Sequence, residues 1–304
     1  MGRSGCCVSL ASWIDDWGRW LLRTYFTGSI ICLVGLCGLL LLMDFPGPYW
    51  LAVILATLIV PLLFLVTGLA QRLGALRRGE LVVVPVDQQP RPGWRGALSQ
   101  LRWLLATLAM FAAWPGFYFL ASQLGQLSPP TVFTFALDAR LPMLSQLTLI
   151  YVTMYWFFIL PALYGREQEH FWSLLRAYAA LMVVCSAVFV LFPVAFPREP
   201  LVVRHLGDWT LAIVHGADPP INCFPSSHCA VAILAALAMR DIHPPGQLPA
   251  LALALGICLA TVFTKQHYVV DTLAGMLLGG GAYLYFFRPG LRQRLRQTIL
   301  ARLG

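Results

Sequence analysis

Eight apolar runs, each near the length of a bilayer-spanning helix, follow one another along this 304-residue chain. A helix that crosses a membrane needs about 20 largely apolar residues and must satisfy its own backbone polar groups. The runs lie near 26–43, 50–69, 101–122, 142–164, 173–196, 226–241, 247–264 and 268–287. The sixth and seventh are short, which predicts that one of them is tilted or enclosed by its neighbours. Charged residues make up 11% of the chain, whereas soluble domains carry about a quarter. The pattern predicts an all-α polytopic membrane protein with about eight transmembrane helices.

The formal net charge of +8 would suit a nucleic-acid partner, but its distribution argues for a membrane. With the N-terminus placed inside, seventeen of the 21 Lys and Arg residues fall on the inner side. The four outside are Arg140, Arg198, Arg204 and Lys265. This positive-inside pattern predicts cytoplasmic termini and no nucleic-acid partner. One lysine among those 21 points to a GC-rich bacterial genome, hence an inner membrane. Four parts are expected. Residues 1–70 form an interfacial segment, marked by Trp13, Trp17 and Trp20, and a two-span hairpin. Residues 71–100 are an arginine-rich cytoplasmic loop, 101–287 a six-span core, and 288–304 a basic tail on anionic lipid. The cysteines imply no disulfide framework, since Cys32, Cys37, Cys185 and Cys258 fall inside spans, where cysteine acts as a small hydrophobe.

Function is expected at the outer face, where the polar stretch 197–225 runs into "CFPSSHCAVAILAALAM", residues 223–239. Pro225 ends that stretch, and Ser226 or Ser227 can cap the next helix. His228 then falls in the first turn, where free amides and the helix dipole favour an anion. The chain descends about 20 Å to Asp241, turns through "IHPPGQ" and climbs back to "TKQHYVVD" at 264–271. His228 and His267 therefore return to one side. His267 and Asp271 are four apart and share a helical face. The carboxylate is expected to hold one ring N–H and leave the other nitrogen as a nucleophile or base. Two imidazoles, a carboxylate and helix N-termini in one pocket predict phosphoryl transfer. One histidine attacks phosphorus, and the other protonates the departing alcohol. Lys265, beside the cluster, is a candidate clamp on the phosphoryl oxygens.

"PSSH" followed by "HYVVD" resembles the second and third signature motifs of the type-two phosphatidic acid phosphatase superfamily, the lipid phosphate phosphatases and phosphotransferases. The resemblance implies a six-helix phosphatase core over 101–287, a site on the non-cytoplasmic face, and a phosphohistidine intermediate formed with no metal or other cofactor. Carried over, His267 is the nucleophile, Asp271 its orienting partner and His228 the general acid. Ser226, Ser227 and backbone amides would bind the phosphate. The chain departs from the family in two places. The first motif, a basic residue, six others and then Arg-Pro, is absent. The Arg-Pro pairs at Arg91 and Arg288 are cytoplasmic and have no basic residue seven positions earlier. The arginine expected six positions before the third-motif histidine falls at Thr261. Lys265, one turn above Thr261, is expected to substitute, and Arg198 and Arg204 to supply the missing outer charge. The "FPSSH…HYVVD" form is also similar to the branch that includes inositol phosphorylceramide synthases, where a lipid alcohol replaces water as acceptor.

The expected function is hydrolysis of lipid-linked phosphate monoesters, of the phosphatidate or isoprenoid-phosphate type. Hydrolysis is preferred because water needs no second binding groove. A head-group phosphotransferase using the same three residues and a lipid alcohol partner is the alternative. A non-catalytic lipid transporter or scaffold is a third reading, although transporters tend to show broken helices and midplane charge. Tyr155, Trp156, Phe157 and Phe158 are read as packing or lipid contact, and His170 with Glu167 and Glu169 as solvated charge.

Overall fold

The helix that follows the PSSH motif is the axis of the molecule. The computed structural model describes residues 10–42, 94–164 and 168–290, with isolated positions between 62 and 74. The expected span at 50–69, most of the 71–100 loop and the tail beyond 290 lie largely outside the described residues. The helices are α1 (Leu10–Leu42), α2 (Trp94–Gly125), α3 (Ala136–Arg140), α4 (Thr148–Val152), α5 (Met154–Phe157), α6 (Leu160–Tyr164), α7 (Gln168–Leu191), α8 (Leu206–Ala217), α9 (Ser227–Ile242), α10 (Gln247–Phe263) and α11 (Val269–Phe287). Among the described residues the only extended pairing is a pair of isolated bridges joining Thr131, Val194 and Asn222.

Every residue of α9 from Ser227 to Ala236 is buried. A helix that is apolar on all faces belongs in the interior, and α9 is enclosed by α6, α7, α10 and α11. The contact with α11 is the closest. A Cβ on Gly275 would stand 2.3 Å from the Ser226 carbonyl oxygen, and one on Gly279 would stand 2.2 Å from that of Ala230. These two glycines, four apart, let the backbones touch, as small residues do where membrane helices pack. The same contact sets the register at the helix ends, because Ser226 N–H donates to the Asp271 carbonyl at 3.0 Å.

Three segments are long and apolar enough to cross a membrane, Glu169–Leu191, Pro244–Phe263 and Val269–Phe287, which is compatible with a membrane protein. Several expectations change in detail. The tryptophan-marked lead is not a separate element, since α1 runs unbroken from Leu10 to Leu42. The run at 142–164 is not one regular helix. Tight i→i+3 bonds from Thr153, Trp156 and Ile159 and the missing N–H of Pro161 divide it into a 3-10 turn (Ser145–Leu147) and α4, α5 and α6. The stretch 197–225 contains α8, whose His205 and Asp208 form a capping box and whose Leu206, Leu211 and Val214 are buried.

Replacing Gly279 with valine would drive a side chain into the Ala230 carbonyl. Overpacking costs about 1–3 kcal/mol, so the variant should melt at a lower temperature in detergent. An unchanged melting temperature would contradict this packing.

Candidate active site

α9 begins where Ser226 caps it, its side chain accepting from Cys229 N–H at 3.3 Å. Ser227 and His228 occupy the first turn, and their own amides have no intrahelical acceptor. α10 ends at the same side of the bundle, and the chain reverses in a tight turn in which the Thr261 carbonyl accepts from Gln266 N–H at 3.0 Å and His267 N–H at 3.2 Å. Lys265 takes the left-handed conformation in this turn, with φ of 57°. α11 then starts with Asp271 at its third position, accepting from Tyr268 N–H at 2.9 Å.

These two helix starts bring the predicted pair together. His267 Nε2 lies 3.4 Å from His228 Nδ1, with the rings 61° apart in plane. His267 Nδ1 lies 2.9 Å from the Cys223 carbonyl oxygen, so that nitrogen carries a proton and, in the neutral ring, Nε2 holds the lone pair. Asp271 Oδ2 stands 3.7 Å from His267 Nδ1. The expected arrangement is thus modified: a main-chain carbonyl fixes the tautomer, and the fully buried carboxylate acts mainly through charge. Burial works to lower the His267 pKa, but the Asp271 carboxylate outweighs it and the pKa is raised. The second Asp271 oxygen, Oδ1, is buried without a hydrogen-bond partner.

A cavity of about 480 Å³ opens beside His228. Trp114, Phe119, Phe158 and Val231 give it apolar walls, while Tyr118, Tyr155, Asp218, Ser227 and His228 supply its polar atoms. His267 is not among the residues of its wall. Asp218 accepts a short hydrogen bond from the Tyr118 hydroxyl. Its other oxygen lies 3.4 Å from the Tyr151 hydroxyl, which in turn is 2.8 Å from His228 Nε2. Burial pushes the Asp218 pKa up, against the opposing effects of Tyr118, His267 and Arg198. Burial, reinforced by the charge of Arg198, lowers His215 to about 4.

The proposed phosphate ligands fare unevenly. Ser227 reaches the cavity, whereas Ser226 is wholly buried and committed to its cap. Lys265 does not replace an arginine at position 261. Its Nζ turns away to donate to the Asp138 and Leu141 carbonyls, both at 2.7 Å, bonds that hold its left-handed turn. Thr261 sits between helices, 3.1 Å from the Thr272 hydroxyl. Arg198 reaches the site's edge, where its guanidinium donates to the His215 and Asp218 carbonyls at 3.0 and 2.7 Å and to Gln266 Oε1 at 3.1 Å. Arg204 is not brought to the cavity. It precedes the far end of α8, a 12-residue helix, about 18 Å from the Asp218 end.

Sequence reasoning missed Tyr118 and Tyr151 and read Tyr155 as packing. The only available signal was that Tyr151 and Tyr155 share one helical face. Asp218 falls in the polar stretch 197–225, where no spacing to a partner assigns it a role. Cys223, His267 and Asp271 offer potential ligand atoms within 4.8 Å of one another, three of the four a tetrahedral zinc site would need. Apart from Asp271 Oδ1, their atoms are already engaged, Cys223 Sγ approaching the Pro220 carbonyl at 3.5 Å, His267 Nδ1 the Cys223 carbonyl at 2.9 Å and Asp271 Oδ2 accepting from Tyr268 N–H. The trio therefore fits a hydrogen-bonded cluster better than a metal centre.

Among the described residues, a helical bundle with paired imidazoles at the N-termini of two touching helices forms a site suited to phosphoryl chemistry. The PAP2 superfamily matches residues 127–285, just over half of the chain, and the chain belongs to that superfamily, whose members are generally phosphatases. No curated protein and no solved structure matches it.

Lys265→Met should lower stability by about 1–3 kcal/mol through two lost charge-assisted hydrogen bonds. Competitive inhibition by inorganic phosphate should be unchanged. A large loss of phosphate affinity would return Lys265 to the binding site.

Proposed function

We propose that this chain is an integral membrane phosphohydrolase that removes phosphate from lipid-linked monoesters through a phosphohistidine at His267. The 3.4 Å approach of His267 Nε2 to His228 Nδ1 carries the reading. A phosphoryl group entering at the edge shared by the two rings meets the lone pair on one and a proton on the other. His267 attacks phosphorus, His228 protonates the lipid oxygen as its bond breaks, and water then cleaves the N–P bond with His228 as base. The amides of Ser227 and His228, at the positive end of α9, take the equatorial oxygens. Asp271 stabilises the ring charge that forms on His267. No step in this sequence draws on a metal or cofactor. The arginine distribution supports cytoplasmic termini and a site facing the exterior of a bacterial inner membrane.

Head-group transfer between lipids, as in inositol phosphorylceramide synthases, is the second reading, and the local charge favours it. Among the described residues that line the cavity none is Lys or Arg, and the one acid is Asp218. A doubly charged monoester is less at ease there than a singly charged diester. Phosphate release from phosphatidate, compared with head-group transfer from a phosphodiester lipid to diacylglycerol or ceramide, separates the readings. Absence of both activities in purified protein would leave the transporter or scaffold.

His267→Ala should lower turnover by at least about 10³-fold, and residual turnover near wild type would exclude the mechanism. Turnover should also depend on pH through His267. Below its raised pKa the Nε2 lone pair is protonated, so kcat/KM should fall about tenfold per pH unit on the acid side. Asp271→Asn removes the charge that raises this pKa and should move the acid limb to lower pH, as a pH–rate profile would show.

A further inference from the structure

Beyond the three residues of that mechanism, the hydrogen bonds around His228 continue into the cavity, and we propose that Asp218 and Tyr151 relay protons to and from it. The inference rests on the phosphohistidine reading above. The geometry gives the relay a single direction. The Cys223 carbonyl at 2.9 Å can only accept, so His267 Nδ1 carries a proton and Nε2 accepts. His228 Nδ1, 3.4 Å away, must then be the N–H. Its Nε2 is left as an acceptor, 2.8 Å from the Tyr151 hydroxyl. Tyr151 has one proton, and once it is given to His228 its oxygen can accept from Asp218 Oδ2 at 3.4 Å. That last contact is long for an O–H···O bond, and such bonds often tighten only when substrate is present. The Tyr118 hydroxyl holds the other oxygen of Asp218 from α2.

The groups facing Asp218 are Tyr118, Tyr151 and Tyr155, together with Arg198, His215, Cys223 and His267. Burial pushes the Asp218 pKa up, against the opposing effects of Tyr118, His267, Arg198 and Tyr151, so these neighbours set how readily it takes and gives a proton. The cavity supplies the route by which the source is replenished, since Asp218 and His228 both lie in its wall.

The step balances. The His267 Nε2 lone pair forms the N–P bond, and the bonding pair to the lipid oxygen leaves with that oxygen. The oxygen takes the proton of His228 Nδ1, His228 Nε2 takes that of Tyr151, and Tyr151 takes that of Asp218. The products are a neutral alcohol, a phosphohistidine, neutral His228 in its other tautomer, neutral Tyr151 and the Asp218 carboxylate. In hydrolysis, water attacks phosphorus, its proton runs back along the same groups to Asp218, and the N–P pair returns to Nε2. His228 transfers a proton in both halves without carrying a net charge in a buried position. Tyr151 and Asp218 act through His228 and are positioning and relay groups, not contacts to phosphorus.

The test compares two leaving groups in detergent-solubilised full-length protein. An alkyl ester, dioctanoyl phosphatidate, needs its leaving oxygen protonated, whereas p-nitrophenyl phosphate scarcely does. General acid assistance contributes about 10²–10⁴-fold. In Tyr151→Phe, which removes a single hydroxyl, the aryl-to-alkyl rate ratio should rise about 30-fold or more. Asp218→Asn keeps an acceptor for Tyr118 but has no acid proton, and it should raise the ratio in the same direction. A purely structural role would lower both rates together. A ratio within about twofold of wild type in both variants overturns the relay while His267→Ala remains inactive on both substrates. Wild-type turnover in His267→Ala overturns the underlying reading and the relay with it.

Discussion

The site exists because two helix backbones touch. Gly275 and Gly279 let α11 lie against the carbonyl oxygens of Ser226 and Ala230, closer than any side chain would allow. That contact fixes the start of α11 beside the start of α9. His267 and Asp271 sit at one helix start and Ser227 and His228 at the other, so the spacing of two glycines sets the spacing of two imidazoles. The alanine-rich surface of α9, with Ala230, Ala232, Ala235, Ala236 and Ala238 fully buried, lets the surrounding helices close in. A rigid axis of this kind suits a reaction whose partners must be held within a few tenths of an ångström.

Electrostatics then divides the labour between two buried acids. Asp271 lies beside the imidazole that would become charged, at 3.7 Å, and raises its pKa. Asp218 lies on the other side of the histidine pair, among tyrosines, where burial pushes its pKa up. One acid is placed to stabilise a cation and the other to give up a proton. The cations that would ordinarily hold a phosphate are used elsewhere. Lys265 ties the α10–α11 turn to the Asp138 and Leu141 carbonyls, and Arg198 ties the end of α8 to Gln266. On the proposed reading, helix N-termini would carry a larger share of the phosphate binding than in a site lined by arginines.

Much of this was legible in the sequence. The PSSH cap followed by an apolar run gave α9, and counting down that run and back placed His267 beside His228. The HxxxD spacing put Asp271 next to His267. What the sequence hid was direction. Lys265 sits one turn from Thr261, yet its left-handed φ accompanies a side chain directed to the end of α3, more than 120 positions earlier, a contact no local pattern encodes. The tyrosines were equally hidden, because in an apolar run a tyrosine aimed at lipid and one aimed at a buried polar cluster look alike. α8 was masked by the prolines and charges around it, although its His205–Asp208 cap was present in the spacing.

The most direct test of the central claim is to trap the intermediate. Wild-type protein mixed with 32P-labelled phosphatidate and quenched in base within a turnover should yield an acid-labile, base-stable label. Peptide mapping should place that label on His267, and Asp271→Asn should reduce its burst. A label on any other residue, or turnover with no covalent label at all, would contradict the account.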